Sequence, residues 1–194
     1  MASLAEPIEV ALKVGVALDA SGIAWIVGGS VASSIHGIPR ATQDIDLVAE
    51  IRRLHAKPLA EALETEFYVD RDAILDAVLR RASFNLIHLD TMTKVDVFVP
   101  KGDALSAAQI LRRQFIQVGD APSAALPVLS PEDVILQKLR WYDAGQRISE
   151  RQWRDVLGVL KVRAGTLDDG YLRAQASSAG FEDLLQQALD DAKA

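Results

Sequence analysis

Trp25-Ile26-Val27-Gly28-Gly29-Ser30, followed after thirteen residues by Asp44-Ile45-Asp46-Leu47-Val48, sets the architecture expected of this chain. Residues 24–27 form a short apolar strand, the glycine pair makes a turn, and the small residues from Val31 to Ile35 start a helix. A glycine pair in that position lets backbone N–H groups come close to an anion, and the helix N-terminus adds partial positive charge. Ser30 contributes a hydroxyl. Residues 44–51 alternate polar with apolar, the period of a strand, so Asp44 and Asp46 share one face while Ile45 and Leu47 point to the core. Two carboxylates so placed repel one another and raise each other's pKa unless a cation neutralises them, which makes a divalent ion their natural occupant. Magnesium, or manganese in its place, suits such an oxygen-only set.

A third acid of the same context stands in Lys94-Val95-Asp96-Val97-Phe98-Val99, on the strand face opposite the valines. If the two strands are neighbours, Asp44, Asp46 and Asp96 form one cluster, able with phosphate oxygens to hold magnesium at a reacting phosphate. Around this core, residues 4–20 predict a helix that Ser21-Gly22 stops, and Gly37-Ile38-Pro39 ends the helix after the glycine turn. A further helical pattern runs from Arg52 through Leu63. Residues 82–89 and 94–99 read as a hairpin, 104–113 as helix, and 115–118 and 127–129 as short strands. From Ser130 onward only helix is predicted: Ser130-Pro131-Glu132-Asp133 joins a cap, a proline at the first helical position and early acids, and four helical segments follow. The expected class is α+β, a small mixed sheet flanked by helices (1–128), with an all-helical part (129–194) packed on it.

Glycine and serine before a spacer, Asp-x-Asp, and a distant Asp in an apolar strand together resemble the signature of the DNA polymerase beta-like nucleotidyltransferases. The string Arg40-Ala41-Thr42-Gln43-Asp44-Ile45-Asp46-Leu47 is similar to the subgroup that includes the abortive-infection (AbiEii-like) toxin nucleotidyltransferases. The resemblance implies that Asp44 and Asp46 bind metal, that Asp96 supports the metal or the attacking hydroxyl, and that Gly28, Gly29 and Ser30 grip the triphosphate of an NTP. It implies transfer of a nucleoside monophosphate to a hydroxyl on protein, RNA or a small molecule, with an antitoxin protein as a candidate partner. Lys138, followed by Arg154-Asp155, resembles the subgroup's second motif. Lys138 lies within an apolar helical stripe, so its amine reaches either a triphosphate or a salt bridge with Asp155; Asp155 in turn can orient Lys138 or Arg151. Arg40 meets either a phosphate or a nearby acid.

Other residues carry plainer readings. His36, beside the helix stop, caps the last carbonyls; His55 and His88 belong to no motif; Trp25, Trp141 and Trp153 are packing residues. Arg147, Arg151 and Arg154 are the exposed face of a helix pair.

Composition agrees with a folded enzyme: 49% apolar and 25% charged residues over 194 positions support a core without staples. The absence of cysteine excludes disulfides, thiolate nucleophiles and Cys-ligated zinc. A net charge of -6 argues against wrapping duplex DNA. The N-terminus lacks the pattern of a signal peptide and no apolar run is long enough to span a membrane, which predicts a cytoplasmic location. A rival class is a non-catalytic toxin–antitoxin component that binds nucleotide or partner on the same fold. Three mutually repelling carboxylates favour catalysis, because a binding module gains nothing from them.

Overall fold

The computed structural model describes residues 5–42, 44–118 and 125–193; Leu4 and the rest of the extreme N-terminus, with the readings placed on them, lie outside these. The chain separates into two compact units, one of Met1–Val31 with Ala41–Val128, the other of Ala32–Arg40 with Leu129–Ala194.

The first unit is built on a mixed sheet of seven strands: β1 (Trp25–Val27), β2 (Asp44–Ala49), β3 (Phe67–Tyr68), β4 (Ser83–His88), β5 (Lys94–Phe98), β6 (Gln114–Gln117) and β7 (Ala125–Val128), in the order β3-β4-β5-β2-β1-β7-β6. Strand β2 runs parallel to β5 and antiparallel to β1, and β1 is parallel to β7. Strands β4 and β5 are the expected hairpin. Period-2 alternation explains the sheet's inner face: Ile45, Leu47, Leu86, Val95 and Val97 are all sealed from solvent. Burying side chains of this size stabilises by about 1.5–3 kcal/mol each before the cost of ordering the chain.

Helix α1 (Ala5–Ala20) covers Trp25, and its Gly15 is a packing necessity. A Cβ there would lie 2.2 Å from the Trp25 ring. The indole N–H also reaches Asp19 at 2.8 Å, so Trp25 is a core residue with its polar edge satisfied. Helix α2 (Gly29–His36) starts directly on the glycine pair, two residues before the expected Val31. Helices α3 (Ala56–Leu63), α4 (Arg71–Arg80) and α5 (Ala104–Leu111) follow along the chain. The start of α4 is fixed by the Asp70 carboxylate, which accepts from the backbone N–H groups of Asp72 and Ala73. Neither β3 nor α4 has a counterpart in the sequence reading. His88, which matched no motif, is buried with Nδ1 3.0 Å from the Thr91 hydroxyl and Nε2 3.2 Å from the Lys13 amine.

The second unit contains α6 (Pro131–Ala144), α7 (Glu150–Val162), α8 (Asp169–Ala179) and α9 (Glu182–Asp191). Ser130 caps α6 by accepting from the Asp133 N–H at 3.1 Å, and Pro131 takes the first helical position where it loses no hydrogen bond. Tyr142 and Trp153 stack with ring centroids 5.0 Å apart, joining α6 to α7. Among the described residues, no helix is long and apolar enough to cross a membrane.

Residues 32–40 group with the helical unit for identifiable reasons. Gly37 lets the backbone at the end of α2 touch α7, since a Cβ there would stand 2.8 Å from the Val159 nitrogen. Arg163 donates to the His36 carbonyl at 3.2 Å and lies 3.1 Å from His36 Nδ1. A guanidinium can only donate, so Nδ1 accepts and Nε2 carries the proton it gives to the Leu129 carbonyl at 2.7 Å. Arg163, not His36, therefore caps the last turn of α2. Burial pushes the His36 pKa down, with the Arg163 charge adding to the effect, so the ring is neutral in the fold. A depressed folded pKa contributes stability that is complete above the unfolded histidine value of about 6.5 and is lost as pH falls through the folded pKa. Urea unfolding at a series of pH values should show stability dropping below about pH 6.5, and His36→Gln should flatten that segment of the profile. A His36→Gln profile that keeps the wild-type slope there would contradict the assignment.

Candidate active site

At the end of β1 the chain turns through Gly28 and Gly29 into α2, and β2 passes alongside. The Gly28 N–H donates to the Asp46 carbonyl at 2.9 Å, locking the turn to β2. Gly29 has φ +55°, and a Cβ at this position would lie 1.7 Å from Asp46 Oδ2. The Asp46 carboxylate thus rests against the bare Cα at the first residue of α2, where helix backbone charge is positive. Ser30, half-buried, is the next helical residue.

Register brings the acids together. On the parallel pair β2 and β5, Asp46 is opposite Asp96 and Asp44 is opposite Lys94. Paired positions share a face, so Asp44, Asp46, Lys94 and Asp96 occupy one patch of the sheet, with Asn85 of β4 opposite Asp96. Asp44 is exposed, while Asp46 and Asp96 are half-buried.

Lys94 has a part that the sequence reading did not assign. Its Nζ lies 2.9 Å from both carboxylate oxygens of Asp96. The hydrogen bond to Asp96 raises the Lys94 pKa against the effect of desolvation, and the charges of Asp96, Asp44 and Asp46 add to it. One ammonium therefore stands in the field of all three acids. The signal was available: Lys94 is two residues from Asp96 on a strand, hence on the same face. Among the described residues no three acidic or histidine side chains converge closely enough to hold a metal ion as they stand. The Asp96 carboxylate is instead turned toward Lys94.

Gly29 offers a direct test of this geometry. Alanine there would take a left-handed conformation costing about 1–2 kcal/mol and would drive its Cβ into Asp46. Gly29→Ala should lower the melting temperature by several degrees and remove most activity, because the carboxylate or the turn must move. A variant with wild-type melting and turnover would refute the close approach.

The remaining predicted residues lie in the helical unit. Lys138 Nζ donates to Asp155 Oδ2 at 2.7 Å, and Arg40 straddles the same carboxylate, Nε to Oδ1 and Nη2 to Oδ2, both at 2.9 Å. Lys138 is only 1% exposed, and its amine sits 5.8 Å from the centroid of the Trp141 ring. Burial alone would push the Asp155 carboxyl up; hydrogen bonds from Arg40 and Lys138 outweigh it and hold it below the usual carboxylate range. Arg147 pairs with Asp143 and Asp183 at the surface, and Arg151 and Arg154 are exposed.

Comparison with known proteins gives this arrangement its setting. The profile of the family described as nucleotidyl transferase AbiEii toxin, type IV toxin–antitoxin system, matches residues 11–192. The chain belongs to the AbiEii nucleotidyltransferase toxin family. No curated protein matches it. Among solved structures it is similar to the antibiotic-resistance factor ANT(2″)-Ia in solution, with a TM-score of 0.57 at 14% identity over 95% of this chain and 98% of that one. The crystal structure of ANT(2″)-Ia in complex with adenylyl-2″-tobramycin gives 0.57 at 13% identity, over 89% and 96%. An antigenic nucleotidyltransferase-like protein from Paracoccidioides brasiliensis gives 0.51 at 17% identity, over 92% and 90%. At such identities the likeness is one of fold. It agrees with the expected α+β class and its small mixed sheet, and the AbiEii match spans both the sheet unit and the four helices after it.

Proposed function

We propose that this AbiEii-family chain transfers a nucleoside monophosphate from an NTP to a hydroxyl acceptor, with magnesium or manganese bound at Asp44, Asp46 and Asp96. The observation that carries the reading is the register of β2 and β5, which sets Asp46 opposite Asp96 and beside the glycine turn at the start of α2. The donor set fits a hard divalent cation: carboxylate oxygens only, part-exposed, with Gly29 keeping the space against Asp46 that a Cβ would fill. Such an ion, when bound, supplies positive charge to the phosphate oxygens.

The chain's own groups do the remainder. Backbone N–H groups of Gly28 and Gly29 and the Ser30 hydroxyl hold the triphosphate at the helix N-terminus. Asp96 orients the acceptor hydroxyl and takes its proton. A bond forms between acceptor oxygen and the α-phosphorus, the bond to the bridging oxygen breaks, and pyrophosphate leaves with the electron pair. Lys94 neutralises the acids through its pair with Asp96, and a divalent cation held by Asp44, Asp46 and Asp96 would supply positive charge to the same patch. Arg40 and Lys138 serve as the partners of Asp155. The acceptor is protein, RNA or a small molecule, the protein acts in the cytoplasm, and an antitoxin restrains it.

Label transfer from the α-phosphate of each NTP, with magnesium and with RNA, protein and small hydroxylated acceptors, tests the reading. Acceptor labelling by the wild type and not by Asp46→Asn is expected. Equal background from both, with every nucleotide and acceptor class, would favour the non-catalytic binding component instead.

A further inference from the structure

A second concave site lies in the sheet unit at the opposite end of β2 from Asp44, roughly 15–20 Å away at about 3.3 Å per strand residue. It is an open cavity of about 370 Å³ whose floor is Ile51, Val78 and Val99 and whose rim carries Arg52, Arg53 and Arg81. Glu50 is the acid that lines it. Among the described residues none of the three guanidinium groups is paired with a carboxylate, whereas Arg40, Arg80 and Arg147 each have one. In a chain of net charge -6, three arginines facing one hollow without acidic partners create a local positive field opposed to the whole.

The backbone around Arg81 is arranged to deliver its guanidinium. Arg81 ends α4 with φ 51°, a left-handed position that glycine or asparagine fills at lower cost. Its Nη1 donates to the Pro100 carbonyl at 3.4 Å. Opposite, Gly102 has φ +76°, and a Cβ there would lie 2.0 Å from Nη1. An arginine at an unfavourable position and a glycine that makes room for it both direct one fork of donors into the cavity.

From this geometry we infer that the cavity binds an organic phosphate of nucleotide size, the three arginines taking the phosphate and the apolar floor taking the body of the ligand. Guanidinium groups match phosphate oxygens in bidentate geometry, and the volume lies in the range of small-molecule sites. Glu50 accepts from a ligand hydroxyl or amine, which separates nucleotides from bare anions. The site is independent of the carboxylate patch and stands whether or not transfer occurs there.

Backbone amide NMR of the full chain, titrated without metal by AMP, by inorganic phosphate and by a short oligoribonucleotide, tests the proposal. AMP should shift the amides of Arg52, Arg53, Val99 and Gly102, with inorganic phosphate weaker at the same residues. Arg53→Gln and Arg81→Gln should each weaken the AMP response at the cavity about tenfold, the loss expected for one charge-assisted contact, while leaving responses at Gly29 and Ser30 unchanged. Melting curves of both variants separate lost binding from lost folding, and Arg53→Gln, at an exposed side chain, is the variant expected to keep the wild-type curve. Millimolar AMP and phosphate that leave these amides unmoved would overturn the inference. So would shifts that survive in a folded Arg53→Gln protein, or a response to the oligoribonucleotide alone.

Discussion

Asp46→Asn is expected to reduce nucleotidyl transfer by about a thousandfold or more, a loss of roughly 4 kcal/mol of transition-state stabilisation, while leaving the fold intact. The change is isosteric, so the amide fits the space against Gly29 that the carboxylate occupies. It removes one negative charge from a patch where Asp44, Asp46 and Asp96 act on a single ammonium, Lys94. Less mutual repulsion leaves stability unchanged or slightly higher, and the melting temperature should stay within a few degrees. Under the proposed metal-dependent mechanism activity would fall because a neutral amide holds a divalent cation poorly, and the positive charge that cation would bring to the α-phosphate would be lost with it. Turnover under saturating nucleotide and magnesium, measured beside a melting curve, checks both halves. Turnover within tenfold of the wild type would remove Asp46 from the chemistry and leave the patch as a solvated strand face.

The patch was legible because each of its parts has a local period. Asp44 and Asp46 alternate with Ile45 and Leu47, Asp96 alternates with three valines, and a glycine turn beside a carboxylate strand has few other uses. The sequence alone left open whether the two strands were neighbours. Their parallel pairing joins residues about fifty positions apart, across α3, β3, α4 and β4, and no local pattern encodes register across that distance. Lys94 was missed because a lysine near a strand start reads as a solvated end. Strand β3 has two residues, too few for a period to show, and α4 buries only Ile74 and Ala77. The affiliation of residues 32–40 was hidden for a different reason. It depends on the Arg40–Asp155 pair, separated by 115 positions, and on the bare Gly37 backbone against α7, neither of which leaves a trace in hydrophobic periodicity.

Asp155→Ala is expected to destabilise the protein by about 3–5 kcal/mol, the usual cost of stripping one partner from a buried charge pair. The carboxylate serves two cations at once, and both side chains of the Lys138–Asp155 pair are almost wholly sealed from solvent. Without Asp155, Lys138 loses the carboxylate 2.7 Å from its amine in a site sealed from solvent, and Arg40 loses its bidentate anchor. Lys138→Met should cost much less, because Arg40 still neutralises Asp155 and methionine fills a similar volume. The pH dependence follows from the sign of the shift: a carboxyl held below its unfolded value contributes stability that is complete above about pH 3.9 and disappears as pH falls through the folded pKa. Wild type and Asp155→Ala should therefore differ most near neutrality and converge in acid. Denaturant unfolding at several pH values measures this ordering. The same two variants decide what Lys138 does, since a lysine that served the nucleotide would betray itself in KM. A Lys138→Met protein that is slightly less stable but has unchanged KM for the NTP fits the buried pair; one that melts with the wild type while KM rises tenfold would return Lys138 to the phosphates.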